Sequence, residues 1–247
     1  MGRSRVLLLA VVCLAVLMSV SAFAGGKGNP NPGVIPPQAS AHGNTYGDWG
    51  ALWWQWALSL PVSENPLFDM TGEEAANGQS GPVFFLCGVM GQFDDPLNVT
   101  VERDITIPPG KTLFFPILNA ETDNIGIDPP LTVEELYAWA ASWMDATTEL
   151  HANVDGRPIN CWPYRGISSG PFSYWLPPED NVAQYWGFDV SGTIYPTVSD
   201  GYWLMLTPLT PGQHVVNFGG TVSDSEGNPQ FRLDITYNIT VRPGPKK

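Results

Sequence analysis

Four hydrogen-bonding side chains leave the end of one apolar run: in FFPILNAETDN, residues 114–124, Asn119, Glu121, Asp123 and Asn124 follow Leu118 in quick succession. Side chains at the end of a rigid strand are well placed to build a site. Two carboxylates at i and i+2 project to the same side of extended chain, close enough for their pKa values to be pushed apart. General acid and base work needs that separation, so Glu121 and Asp123 are the catalytic candidates, with Asn119 beside them as a ligand contact. The same oxygens are of the kind that calcium takes. A plain polar loop, with Asn and Asp closing local turns, accounts for the same residues without chemistry.

A second constellation is aromatic. YGDWGALWWQWALSLP, residues 46–61, places Trp49, Trp53, Trp54 and Trp56 in one short segment of a chain with only 14% charged residues. At helical spacing Trp49, Leu52, Trp53, Trp56 and Leu60 share a face, and Trp54 and Leu58 fall on the other. Such a helix is sunk between layers or offers one face to a partner. On the second reading Tyr46, Trp53, Trp54 and Gln55, with Trp203, form an aromatic groove for a polysaccharide or another neutral ligand. Flat rings there cover apolar C–H faces, and the amides of Gln55 and Asn119 satisfy hydroxyls.

Other signals are weaker. His42, His151 and His214 are far apart, so no sequence-local metal motif exists; His151 would complement the end of a helix. No nucleophile elbow, zinc-protease motif or phosphate loop is present. Asp48 and His214 reach the carboxylate pair only if the fold brings them. Asp224 to Asn228 lacks calcium-loop spacing and reads as a hairpin turn, and the glycosylation acceptors at Asn98 and Asn238 both fall in strand-like stretches.

The chain opens with Arg3 and Arg5, an apolar run and Ala22-Phe23-Ala24, the pattern of a signal peptide over 1–24. The run is short for a bilayer span, so the expected product is secreted or periplasmic, with no membrane span in the mature chain. Residues 25–44, rich in Pro and Gly, read as a flexible leader, and 45–247 as a single domain. Without Arg3 and Arg5, 9 of the 11 basic residues remain against 24 acidic ones, a formal charge of −15 that excludes nucleic acid as partner. Cys87 and Cys161 survive processing; in an oxidising compartment they read first as a disulfide, with two buried thiols as the alternative.

The elements that must position these residues are mostly strands. Glycine and proline punctuate short apolar or alternating runs throughout. PVFFLCG at 82–88 has strand length, and NVTVERDITI at 98–107 alternates, with Val99, Val101, Arg103, Ile105 and Ile107 on one side. PPGK then suggests an antiparallel hairpin into TLFFPILN. Asp155-Gly156 signals a tight turn, YWLMLTPL at 202–209 is an apolar strand, and FRLDITYNITV at 231–241 is the clearest half-buried strand. A helix is expected over 131–151, capped by Thr132 and Glu135, with Val133, Leu136, Tyr137, Ala140, Trp143 and Met144 in its stripe. Thr45 and Asp48 start the tryptophan helix and Pro61 stops it.

YGDWGALWWQW, GQSGPVFFL, PPGKTLFFPILNAE, DGYWLML and PGQHVVNFGG, in this order, resemble an uncharacterised family of secreted bacterial proteins. That resemblance implies export and a cysteine near position 77, where this chain has Asn77; it implies no activity. The expected architecture is an antiparallel, jelly-roll-like β-sandwich with two helices packed on it. Three functions fit it: a ligand-binding protein, an extracytoplasmic hydrolase or lyase using Glu121 and Asp123, or a structural envelope or matrix protein. No cofactor motif is present, and calcium is the one metal the acidic cluster suits.

Overall fold

The computed structural model describes residues 33–244, so the signal peptide reading at 1–24 lies outside the described residues. The described residues are mainly β: two mixed five-stranded sheets packed face to face, with three α-helices.

The first sheet runs β1 (Val83–Phe85), β3 (Thr112–Thr122), β8 (Gly192–Leu206) and β6 (Arg165–Ile167), with β7 (Phe172–Leu176) pairing the outer half of β8. The second runs β2 (Val99–Ile107), β10 (Pro229–Val241), β9 (Gly212–Ser223), β4 (Thr147–Val154) and β5 (Arg157–Pro158). Most pairs are antiparallel as expected, but β1 joins β3, and β2 joins β10, in parallel.

That second pairing overturns the hairpin expected across PPGK. Both strands exist, but they belong to different sheets, and the turn carries the chain from one layer to the other. Burial explains the choice. β2 alternates strictly, buried on Val99, Val101, Arg103, Ile105 and Ile107, as suits an edge strand with one wet face. β3 is buried without a break from Thr112 to Leu118, because it is covered on both sides. On one side Phe114 stacks on Trp203, with centroids 5.2 Å apart; on the other Phe115 meets Phe218 of the second sheet at 4.7 Å.

Helix α1 (Tyr46–Leu58) begins at the predicted cap, with Thr45 and Asp48 bonding each other's backbone amides. It lies on the face of the first sheet rather than at an edge. The approach is close: a Cβ on Gly47 would sit 1.8 Å from the carbonyl oxygen of Ile167. Tyr46, Trp53 and Trp203 are 3%, 1% and 0% exposed, so these three proposed groove contacts are core residues, held by Tyr46 Oη to Ile35 O and Trp53 Nε1 to Leu86 O. Of the ten tryptophans, Trp49, Trp53, Trp54, Trp56 and Trp203 are buried, and Trp139, Trp143, Trp162, Trp175 and Trp186 are exposed.

Helix α2 (Val133–Asp145) has the expected capping box at Thr132 and Glu135, but ends sooner than the sequence suggests. Residues 147–151 belong to β4 instead, paired with β9; β-branched Thr147 and Thr148 suit a strand, and the pairing takes the segment from the helix. His151 is therefore on a strand, 3.5 Å from Asp234, and not on a helix end. Arg165 fastens the end of α2 to the sheet, meeting Asp145 and the buried Asp200 at 2.6 Å each. A third helix, α3 (Val182–Tyr185), was not expected.

Two further expectations change. Residues 33–44 are docked on the sandwich, with Val34 bridging Leu206 and Ile35 N–H donating to Met205 O at 2.8 Å, so the described half of the leader is attached to the domain. The disulfide is absent: Cys87 and Cys161 are separate buried thiols. Cys87 sits against the Tyr237 hydroxyl at 3.4 Å, beside the buried Arg103 whose guanidinium binds the carbonyls of Pro66, Asp69 and Cys87. Cys161 bonds the carbonyl of Ile159, in a different neighbourhood.

Candidate functional site

β1 pairs β3 only from Thr112 to Phe114, so the edge of β3 beyond that point has no strand neighbour on the β1 side. A cavity of about 470 Å3 lies there. It is lined by consecutive residues Leu118, Asn119, Ala120 and Glu121, which point to alternate faces of β3; both faces reach one cavity only around an open edge. Its volume is within the usual range of small-molecule sites, about 300–1,000 Å3.

The walls come from every layer. α1 supplies Trp54 and Leu58, α2 supplies Trp143 and Met144, β7 supplies Tyr174 and Leu176, and β9 and β10 supply Val222 and Phe231. The segment around α3 supplies Val182, Ala183, Trp186 and Phe188. Asn181 holds that segment: it caps α3 through Gln184 N–H, and its own amide donates to Pro177 O at 2.7 Å and Val190 O at 2.9 Å. Opposite, Gly126 has φ +74° and a Cβ there would meet Phe188 at 2.4 Å, so only glycine lets the loop after β3 close on the ring. Trp143, Trp186 and Phe188 are 50%, 43% and 41% exposed and form an aromatic rim.

Most of the lining is apolar; the polar groups gather on the wall formed by β3 and α1. Asn119 and Glu121 share a side of β3, and Asp123 follows just past its end. Asp123 accepts from the Tyr174 hydroxyl and, at 2.7 Å, from Ile125 N–H. Burial, then the neighbouring charge of Asp123 and a hydrogen bond between the two carboxyls, push Glu121 well above the usual carboxylate range. Both effects favour the protonated form of the Glu121 carboxyl, beside an Asp123 that accepts from two donors. Burial and the same two carboxyls push Tyr174 upward as well, so it stays a phenol.

Three polar atoms on this wall are buried with no hydrogen-bond partner in the protein: Trp54 Nε1, Asn119 Nδ2 and Glu121 Oε1. A buried polar group left unpaired costs about 1–3 kcal/mol, and these three all belong to residues that line the cavity. Trp54 is only 6% exposed, so it is no open platform, but it does line the same concavity as Glu121.

The other expected residues are elsewhere. Gln55 donates to Ser173 O at 2.7 Å, and it lines a shallow depression beside Trp175. Asp48 is engaged by Thr45 and Ser169, so the fold does not bring it to the pair. Nor does it bring His214, which bonds Asp155 at 2.7 Å and Thr210 O at 2.8 Å beside a separate cavity of about 290 Å3. Asn124 closes its own loop through Leu131, removing one oxygen from the calcium reading. Among the described residues no group of three or more His, Cys, Asp or Glu is arranged to hold a metal ion. Sequence reasoning missed Tyr174, Trp186 and Phe188; the capping pair Asn181 and Gln184 ahead of YWGF was the signal available.

No family model, no curated protein and no solved structure matches this chain.

Proposed function

We propose that this is an exported binding protein for a small neutral ligand with a substantial apolar body, seated in the cavity along the free edge of β3. One observation carries the reading: a largely apolar cavity of about 470 Å3 whose lining residues Trp54, Asn119 and Glu121 each carry a buried, unpartnered polar atom. The N-terminal sequence pattern supports export. Its apolar character and small volume favour a small molecule over the polysaccharide also considered, since Tyr46, Trp53 and Trp203 offer no surface to a sugar chain.

Thermal unfolding of wild type and of Ala183→Phe, which fills the cavity from α3, tests this. Neutral amphiphiles should raise Tm in the wild type and not in the variant, and soluble polysaccharides in neither. An equal response of both proteins, or no response to any neutral small molecule, would contradict the reading.

A second reading, hydrolysis or elimination, rests on the carboxyl pair, with Glu121, whose protonated form the site favours, as general acid and Asp123 as general base. It requires turnover that Glu121→Gln removes while ligand binding survives. Binding without turnover in the wild type would dismiss it.

A further inference from the structure

The three unpartnered atoms are two donors and one acceptor. Trp54 Nε1 and Asn119 Nδ2 can only donate. Glu121, whose carboxyl is hydrogen-bonded to Asp123, leaves Oε1 to accept. Trp54 and Asn119 also line an adjoining chamber of about 170 Å3, which shares Met90, Leu118 and Phe231 with the main cavity and extends between the sheets to Leu233. The polar wall therefore sits where two apolar spaces meet.

Each common head group can be tested against that set. A carboxylate brings negative charge beside Asp123 and has no hydrogen for Glu121 Oε1. An ammonium has no lone pair and would leave both N–H groups unpaired. An ether or ketone oxygen accepts from the two donors but leaves Oε1 bare. A hydroxyl offers two lone pairs and one hydrogen, matching the three atoms one for one.

Resting on the binding function proposed above, we infer that the ligand class is a neutral apolar alcohol, its hydroxyl accepting from Trp54 Nε1 and Asn119 Nδ2 and donating to Glu121 Oε1. Its hydrocarbon body occupies the cavity toward the aromatic rim of Trp143, Trp186 and Phe188, where burial of apolar area drives association. A site built to pair a ligand hydroxyl discriminates against analogues that lack it, because its own polar groups are then stranded.

Isothermal titration calorimetry on the mature chain with a medium-chain alcohol, its methyl ether, the matched carboxylate, amine and alkane tests the assignment. The alcohol should bind at least ~10-fold tighter than the ether, as one buried hydrogen bond warrants, and the carboxylate and amine more weakly still. Trp54→Phe, which keeps a ring but removes the N–H, should weaken the alcohol several-fold and leave the alkane unchanged; Glu121→Met should bring alcohol and ether level. An ether equal to the alcohol in the wild type, a carboxylate that binds best, or a Trp54→Phe protein that loses alkane and alcohol alike would overturn the assignment while leaving a binding cavity. Absence of heat from every probe would instead contradict the binding function on which the assignment rests.

Discussion

At the scale of single residues, Glu121 is a carboxyl whose proton the fold holds more tightly than water does. An acid whose folded pKa exceeds its ordinary value of 4.5 keeps its proton in the native chain while the unfolded chain has lost it. Above that ordinary value the native state therefore binds more protons than the unfolded one, and this residue's contribution to stability falls as pH rises toward the folded pKa. Glu121→Gln removes the titration. The variant should gain Tm relative to wild type at pH ~8 and lose that advantage near pH ~4, below the ordinary value; a pH-independent difference would show that Glu121 is ionised in the native state. The chemistry-bearing residues of this wall were legible in the sequence: Asn119, Glu121 and Asp123 end an apolar strand, and Trp54 is off the main stripe of its helix. Their meaning was not. Period-two alternation shows which side chains share a face, but the missing β1 neighbour that opens the edge of β3 is a long-range pairing that local pattern does not encode.

At the scale of elements, α1 depends on small residues as much as on its tryptophans. Glycine inside a helix costs about 1 kcal/mol relative to alanine, so Gly47 is unfavourable locally and is retained for contact. Gly47→Ala should lose about 3 kcal/mol or fail to fold, because its Cβ meets a backbone carbonyl that cannot rotate aside; chemical denaturation measures it, and a variant as stable as wild type would mean that α1 does not rest on β6. The tryptophan helix was legible to its cap and its stop. Its burial was not, since a segment apolar on both faces reads equally as core and as surface, and the second face is decided by β7 and the cavity rather than by spacing. The extension of α2 into β4 failed for a related reason: Thr147 and Leu150 continue a helical stripe, yet β9 offers a ladder of hydrogen bonds that a helix end cannot match.

At the scale of the whole molecule, the sandwich holds together without a covalent link between Cys87 and Cys161. A bridge over that span would contribute about 4 kcal/mol on the chain-entropy model. None is present, so Tm should be the same with and without reductant, and both thiols should label after denaturation in the absence of reductant; a marked loss of Tm on reduction would contradict the arrangement. Predominantly β architecture and helices packed on it follow from the turn-punctuated strands, whereas the layer change across PPGK does not, because a turn signal gives direction reversal without naming the partner sheet. What unites the layers is the cavity itself: its walls are drawn from both sheets and all three helical segments, so a ligand there would tie α2 and α3 to the sandwich. The most direct measurement is the indole N–H spectrum of 15N-labelled protein titrated with a medium-chain alcohol, with the Trp54 resonance assigned by Trp54→Phe. The Trp54 N–H signal should move downfield and saturate as its hydrogen bond forms. A Trp54 signal that stays in place while only those of exposed Trp143 and Trp186 respond would contradict a ligand seated on the polar wall.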